Sequence, residues 1–239
     1  MVDMFPVLRV LGILVMIFSL SMGLPLAVSL WTGDGVWHVY PLAMAGTLAA
    51  GAWLWWRLRL FRQELQPRHG VMLVSLVWML LPLFSTVPLM LAAHHIGRPM
   101  SFTHAYFEAV SGLTTTGSTV LVGLDTLPVS VNVWRTFLQW MGGMGILILA
   151  VAVLPLLGVG GSQLFKAEAA GPLKDTKLTP RMTGTAKGLW GVYALFSTLC
   201  GLAYWAGGMA PLDALMHMFT TVSLGGLSSH DLSFGYFQS

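Results

Sequence analysis

The sequence predicts an all-α integral membrane protein in which long apolar helices surround two short polar loops. Hydrophobic residues make up 56% of the 239 residues and charged residues only 9%, compared with about 25% charged residues in an average soluble domain. A soluble core could not bury so much apolar surface. Two stretches rich in threonine, serine and glycine interrupt the apolar segments, and each follows a long apolar segment and a short amphipathic run.

Most positive charges lie between the apolar segments rather than in one patch. Ten of the twelve Lys and Arg residues fall in the amino terminus, the loop 57–69 or the polar stretch 166–187, and only Arg98 and Arg135 lie elsewhere. By the positive-inside rule these ten residues face the cytoplasm. The pI near 9.2 therefore reflects membrane topology. It predicts a cytoplasmic amino terminus, membrane lipid as a partner and no binding of nucleic acid.

Residues 1–69 are predicted to form an amino-terminal unit of two membrane-spanning helices. The first is the uncharged run 10–31, with Pro25 as a kink site. A cleaved signal peptide is the alternative, but its apolar region would span only about 7–15 residues. The second helix covers about 39–60 and ends in tryptophans beside arginines, as is typical of a membrane interface.

Residues 70–165 are predicted to form a helix–pore loop–helix unit. Its spanning helices are 71–93, which two prolines should kink, and 136–165, whose three glycines should allow close packing against the loop. Between them, Ser101 or Thr103 could cap a short helix that ends near the loop.

The first loop contains Thr114, Thr115, Thr116 and Gly117. Non-helical backbone at membrane depth is tolerated only where it is buried in protein or lines a water-filled cavity. Threonine oxygens are hard ligands, and Gly117 permits angles that turn successive carbonyls toward one axis. A potassium filter needs this chemistry, because its carbonyls replace the hydration shell of the ion. An ordinary threonine and glycine turn between two helices is the alternative.

A second stretch repeats this plan, which indicates an internal repeat. When Gly117 is aligned with Gly225, Thr115 coincides with Ser223. The second filter is accordingly predicted at four residues: Val222, Ser223, Leu224 and Gly225. Residues 166–187 are predicted to form a cytoplasmic linker, and 188–239 a second unit that stops after its filter.

Three acidic residues are candidates for roles near these loops. A charge on a short helix at membrane depth is costly unless it is paired, so we interpret Glu108 as a buried strut behind the filter or a partner of Arg135. Asp125 either concentrates cations at the outer mouth or is a solvated loop residue. Asp213 follows Pro211 at the positive start of the second short helix, where we expect a helix-end charge.

An intramembrane enzyme is the alternative from another class. Catalysis needs a nucleophile, a base and an orienting group in one site. The candidates scatter over an external loop and two separate short helices: His94, His95, His217, Glu108 and Asp213. We therefore predict no enzyme activity, no catalytic residue and no cofactor-binding residue. The one cysteine, Cys200, is interpreted as a packing residue.

Four runs of the sequence carry a family resemblance. They read FEAVSGLTTTGSTVL, WRTFLQWMGGMGILILAVAVLPLLGVGG, KDTKLTPRMTGTAKGLW and TTVSLGG followed by SSHD. These runs resemble the membrane subunit of the Trk potassium-uptake family (TrkH/TrkG type), which is related more distantly to the Ktr and HKT transporters. The resemblance covers nearly the whole chain and is strongest at 101–236. Leu224 departs from the Thr-Gly-Gly that relatives often have in this repeat.

The resemblance implies four fused helix–pore loop–helix units after two extra helices, of which this chain reaches the second filter. It implies a symporter in the bacterial inner membrane that transports potassium ions and has no covalently bound cofactor. It also implies a homodimer at full length and a cytosolic nucleotide-binding regulatory subunit that faces 166–187. We expect the amino-terminal half of such a subunit. A non-conducting fragment or an assembly-only membrane module is the alternative.

Overall fold

The computed structural model describes residues 4–60, 67–153 and 178–237, and within these ranges the chain is helical without a β-strand. Eight α-helices follow one another there: α1 Phe5–Ser21, α2 Gly23–Thr32, α3 Val39–Leu58, α4 Pro67–His95, α5 Phe102–Leu113, α6 Val129–Val153, α7 Leu178–Ala206 and α8 Pro211–Val222. The all-α prediction is confirmed. Residues 166–177 of the predicted linker and the predicted helical residues 154–165 lie outside the described ranges.

The first predicted span is divided into α1 and α2 at Met22. Pro25 explains the position of the break, because proline has no N–H to donate to the carbonyl four residues earlier, that of Ser21. Helix α1 then packs closely against α3 at Gly12 and Gly51. A Cβ on either glycine would lie 2.8–2.9 Å from the carbonyl oxygen of the other, so only glycine allows this crossing.

Three helical stretches in the described part of the chain are long and apolar enough to cross a membrane: Phe5–Thr32, which is α1 with α2, His69–His95 in α4 and Ala186–Ala206 in α7. Many of their apolar side chains are exposed, for example Phe196 and Leu199, which suits contact with lipid. The sequence also predicts spans at α3 and α6. Helix α3 carries several tryptophans and glycines, and the first half of α6 carries Asn132, Arg135 and Gln139.

Two helices begin seven or more residues before their predicted starts. Helix α6 begins at Val129, seven residues before the predicted start at Thr136, because Arg135 is neutralised inside the protein instead of marking a helix end. Helix α7 begins at Leu178, ten residues before the predicted 188. It therefore includes the last part of the predicted linker, since a helix does not have to end at the bilayer surface.

Helices α5 and α8 have the same length, twelve residues each. Each follows a long helix, and a left-handed glycine, Gly97 or Gly208, lies two residues after the end of that helix. Ser101 caps α5 through its side chain, which accepts a hydrogen bond from the backbone N–H of His104 at 3.2 Å. Pro211 starts α8 in its first turn. Both starts were predicted from the sequence, and Ser101 rather than Thr103 is the cap.

Asp34 ties the amino-terminal helices to α6. Its carboxylate accepts hydrogen bonds from the backbone N–H of Ser130 at 2.9 Å, in the first turn of α6, and from the hydroxyl of Ser29. Burial raises the pKa of Asp34, but these hydrogen bonds outweigh it and hold the pKa below its ordinary value. The charged carboxylate also suits the positive amino-terminal end of a helix.

Asp34→Asn should lower the melting temperature of the complete transporter in detergent by about 2–6 °C at pH 7, because an amide accepts these hydrogen bonds less strongly. A group with a lowered pKa stabilises the folded protein above its unfolded pKa, and the effect is lost as pH falls through the folded pKa. The difference should therefore shrink below about pH 4. Ser29→Ala, which removes one donor, should cause a smaller fall. Equal melting temperatures at pH 7 would contradict this role.

Candidate functional site

The backbone leaves α5 and α8 through the same unusual turn. After α5, Thr114 has φ −83°, Thr115 has φ 56° and Gly117 has φ 77°. After α8, Ser223 also has φ −83°, and the positive angles of 57° and 78° fall on Leu224 and Gly226. Residues 114–117 therefore correspond to 223–226.

This correspondence corrects the predicted register by one residue. The sequence alignment matched Gly117 with Gly225, but Gly117 has its structural equivalent in Gly226. Val222 is the last residue of α8 rather than part of the loop, and Gly225 does not have a positive φ. The error arose because the alignment placed the first glycine of each loop at the same position. In the second loop, a leucine, Leu224, adopts the first left-handed conformation, and the second falls on Gly226.

Hydrogen bonds at the helix ends hold both turns. The N–H of Thr116 donates to the carbonyl of Ser111 at 2.9 Å, and the N–H of Gly225 donates to that of Thr220 at 2.8 Å. A left-handed residue with a Cβ costs about 1 kcal/mol or more, so Thr115 and Leu224 are strained. Strained backbone that the surroundings enforce is often found at functional sites.

The two loops touch each other and rest on α6. A Cβ on Gly117 would overlap the carbonyl oxygen of Gly225, and one on Gly142 would overlap that of Leu113. At Gly143, a Cβ would lie 2.9 Å from the Cβ of Ser223. The predicted close packing of the glycine-rich helix is thus confirmed at Gly142 and Gly143. Gly145 has only ordinary contacts, 3.8 Å from the ring of Trp78.

Glu108 holds the segment that follows the first loop. One carboxylate oxygen accepts hydrogen bonds from the Thr119 hydroxyl and the Val120 N–H, both at 2.6 Å. The other accepts from Nε of Arg135 at 3.1 Å, and both side chains are fully buried. Arg135 Nη2 also donates to the Thr119 hydroxyl at 2.9 Å. The structure therefore places the carboxylate of Glu108 between Arg135 and the segment that follows the first loop.

His217 occupies the equivalent place in the second unit. Its Nδ1 lies 2.8 Å from the carbonyl oxygen of Asp213, and its Nε2 lies 3.0 Å from the hydroxyl of Ser228. The pair His217 and Ser228 has the same sequence separation as Glu108 and Thr119. A packing role for His217 agrees with these contacts.

His230 brings together two acids for which the sequence predicted separate roles. Its Nδ1 contacts the carboxylate of Asp125, and its Nε2 lies 3.2 Å from that of Asp213. Asp213 also accepts a hydrogen bond from the Ser229 hydroxyl at 2.8 Å. The hydrogen bond from His230 is the main reason that the pKa of Asp125 lies below its ordinary value. Asp125 is therefore partly exposed but paired, rather than merely solvated.

Asp231 provides a second tie between the units. Its carboxylate accepts hydrogen bonds from the backbone N–H groups of Gly123 and Leu124, at 3.0 and 3.1 Å. The sequence analysis did not single out His230 or Asp231. The SSHD run was the available signal, but Asp125, Gly123 and Leu124 lie more than 100 residues before the residues that contact them.

Gln139 is the other residue that the sequence analysis missed. It lies on α6 and is fully buried, and its side-chain oxygen accepts a hydrogen bond from the N–H of Leu227 at 3.2 Å. A Cβ on Gly225 would overlap its amide group. The sequence signal for this residue was a glutamine inside an apolar helix, shortly before the pair Gly142 and Gly143.

Two of the enzyme candidates, His217 and Asp213, lie together on α8, whereas the other three lie on α4 and α5. His94 and His95 lie in the last turn of α4, where the ring of His95 packs edge-on against that of His38 with centroids 4.6 Å apart. Within residues 4–60, 67–153 and 178–237, no group of three or more His, Cys, Asp or Glu side chains is placed to hold a metal ion.

Comparison with known proteins gives a consistent family. The profile of the TrkH family, described as cation transport protein, matches residues 40–239. The Trk system potassium uptake protein TrkH of Halomonas elongata is 50% identical over 98% of this chain and 48% of its own length. TrkG of Escherichia coli K12 is 39% identical over 95% of this chain and 46% of its own length.

A solved structure agrees with these relatives. The crystal structure of the potassium transporter TrkH from Vibrio parahaemolyticus is similar with a TM-score of 0.86 and 40% identity, over 99% of this chain and 47% of that protein. The chain thus spans about half the length of the curated relatives it matches. By its sequence and its fold, this membrane protein belongs to the TrkH family of cation transport proteins.

Proposed function

We propose that this chain takes part in potassium uptake and contributes two filter loops, residues 114–117 and 223–226, to the ion path. The observation that carries the proposal is the pair of identical left-handed turns at the ends of α5 and α8, packed against each other. The names of the relatives, potassium uptake proteins of the Trk system, support potassium as the ion.

Backbone carbonyls are the proposed ligands. The Thr114 hydroxyl donates to the carbonyl of Val110 at 2.8 Å and lies 2.8 Å from the Thr116 hydroxyl, so both hydroxyls already have partners. In the second loop, Leu224 has no side-chain ligand to offer. The carboxyl-terminal ends of α5 and α8 add a partial negative charge that favours a cation, and no cofactor is required.

The cluster of Asp125, Asp213, His230 and Asp231 is proposed to form part of the outer mouth. It joins the two units and places negative charge near the entrance, where a cation is attracted before it sheds water. Because its pKa is lowered, Asp125 stays ionised at neutral pH. Glu108 is proposed to act as a strut and not as an ion ligand.

The location and partners are further proposals from the family resemblance. We place the chain in the bacterial inner membrane with its amino terminus in the cytoplasm. The proposed units are 1–69, 70–165, the linker 166–187 and 188–239. We propose a homodimer at full length, with a cytosolic nucleotide-binding regulatory subunit facing the linker.

A second candidate is a non-conducting, assembly-only module. The chain spans about half the length of the curated relatives it matches, and its described part supplies two loops. The two candidates differ in whether the 239-residue chain transports ions when it is expressed without additional sequence.

Gly117→Ser and Gly226→Ser should each reduce the preference for Rb⁺ over Na⁺ by about tenfold or more. A residue with a Cβ is strained at these positive φ angles, and selectivity depends on how the carbonyl dipoles are presented. The measurement is Rb⁺ and Na⁺ uptake in cells that lack other potassium uptake, normalised to transporter abundance in the membrane, with both the 239-residue chain and the complete transporter.

Gly97→Ser is the matched control. Gly97 also has a positive φ of 72°, but a Cβ there would meet no atom within 4 Å, and it lies in the turn after α4. This variant should keep the wild-type ion preference. If both loop variants kept it as well, the loops would be ordinary turns and the proposed filter would be wrong.

The proposed orientation predicts a labelling pattern for single cysteines introduced in a Cys200→Ser background. Cysteines at Pro99 and Trp37 should react with a membrane-impermeant thiol reagent in intact cells, because both positions are exposed in loops that face outward. Cysteines at Arg59 and Lys187, which are also exposed, should react only after the cells are permeabilised. The reverse pattern would overturn the orientation.

A further inference from the structure

Gln139 lies where the two loops meet. On one side its side-chain oxygen accepts the hydrogen bond from the N–H of Leu227 at 3.2 Å, directly after the left-handed Gly226. Its amide group also fills the space that a Cβ of Gly225 would need. On the other side, its Nε2 lies 3.6 Å from the position that a Cβ of Gly117 would take.

The hydrogen bond to Leu227 fixes the orientation of the amide. An N–H donor needs an acceptor, so the oxygen of Gln139 faces Leu227 and the NH₂ group points the other way. In that orientation Nε2 is buried and has no hydrogen-bond partner within the described structure. A buried donor without a partner lowers stability. A leucine of similar size would fill the same space without leaving a buried donor unpaired, so filling space does not by itself explain the amide.

The NH₂ group faces the closest approach of the two loops. Gly117 packs there directly against the carbonyl of Gly225, and both residues border the amide of Gln139. A buried donor at this place favours loop conformations in which a carbonyl oxygen of either loop accepts its hydrogen bond. One rigid side chain from α6 thus touches both loops.

We propose that Gln139 is a positioning residue for ion selectivity: it anchors the second loop at Leu227 and sets the spacing between the carbonyls of the two loops. The inference rests on the proposed function, because it gives the spacing of the loops a role in choosing the ion. Gln139 acts through the backbone of residues 117 and 225–227 and does not itself bind the ion.

Gln139→Leu removes both the anchor and the donor at nearly constant volume. In the complete transporter it should reduce the preference for Rb⁺ over Na⁺ by about fivefold or more, measured as uptake normalised to membrane abundance. Gln139→Asn keeps the amide but shortens the side chain by one methylene, so that Leu227 is out of reach, and it should reduce the preference as well. Gln139→Glu keeps an oxygen for Leu227 and should retain more of the preference than leucine.

Thr136→Val is the matched control. Thr136 is equally buried on α6, but its hydroxyl donates to the carbonyls of Asn132 and Val133 within the same helix. This variant should leave ion preference unchanged. If the leucine and asparagine variants keep the wild-type preference while Gly117→Ser loses it, Gln139 has no positioning role and the filter proposal stands.

The remaining outcomes are also decisive. If Gly117→Ser keeps its preference too, the proposed filter itself fails. If the leucine and asparagine variants are both absent from the membrane while Thr136→Val is present, Gln139 is only a folding element and the inference is overturned.

Discussion

The ion pair between Glu108 and Arg135 is the interaction on which the arrangement of the first loop depends. Both side chains are fully buried, and a charge at membrane depth is costly unless it is paired and hydrogen-bonded. Arg135 meets this need through Glu108, Thr119 and the side-chain oxygen of Asn132, at 3.1 Å. The pair thereby joins the short helix α5, the segment after the loop and the long helix α6.

Helix α6 acts as the common support of both loops. Its Arg135 holds the first loop through Glu108, its Gln139 holds the second at Leu227, and its glycines allow both loops to approach closely. The second loop has a counterpart of this arrangement, since His217 contacts Ser228 where Glu108 contacts Thr119. The two units thus share a backbone conformation that different side chains maintain.

The sequence predicted the features that depend on local chemistry. These include the order of the helices, the cap at Ser101, the start of α8 at Pro211 and the close packing of Gly142 and Gly143. Hydropathy, capping and proline rules act within a few residues, which explains why they could be applied without a structure. The pairing of Glu108 with Arg135 was also suggested, because a buried acid needs a partner.

Several features that depend on contacts between distant parts of the chain were not predicted. The register of the second loop was wrong by one residue because a leucine carries the left-handed conformation there. The start of α6 was placed too late because Arg135 was taken as a boundary. Gln139, His230 and Asp231 were missed because each has a partner about 90 to 110 residues away: Leu227, Asp125 and Gly123, respectively.

The most direct test of the central ion pair is a double-mutant cycle for unfolding of the complete transporter in lipid or detergent. Glu108→Gln and Arg135→Gln should each lower the free energy of unfolding by about 3–5 kcal/mol, since each leaves an unpaired buried charge. The double variant leaves no such charge and should cost less than the sum of the two, with a coupling of about 2 kcal/mol or more. Strictly additive effects would show that the two residues do not stabilise the loop as a pair, which would contradict this account.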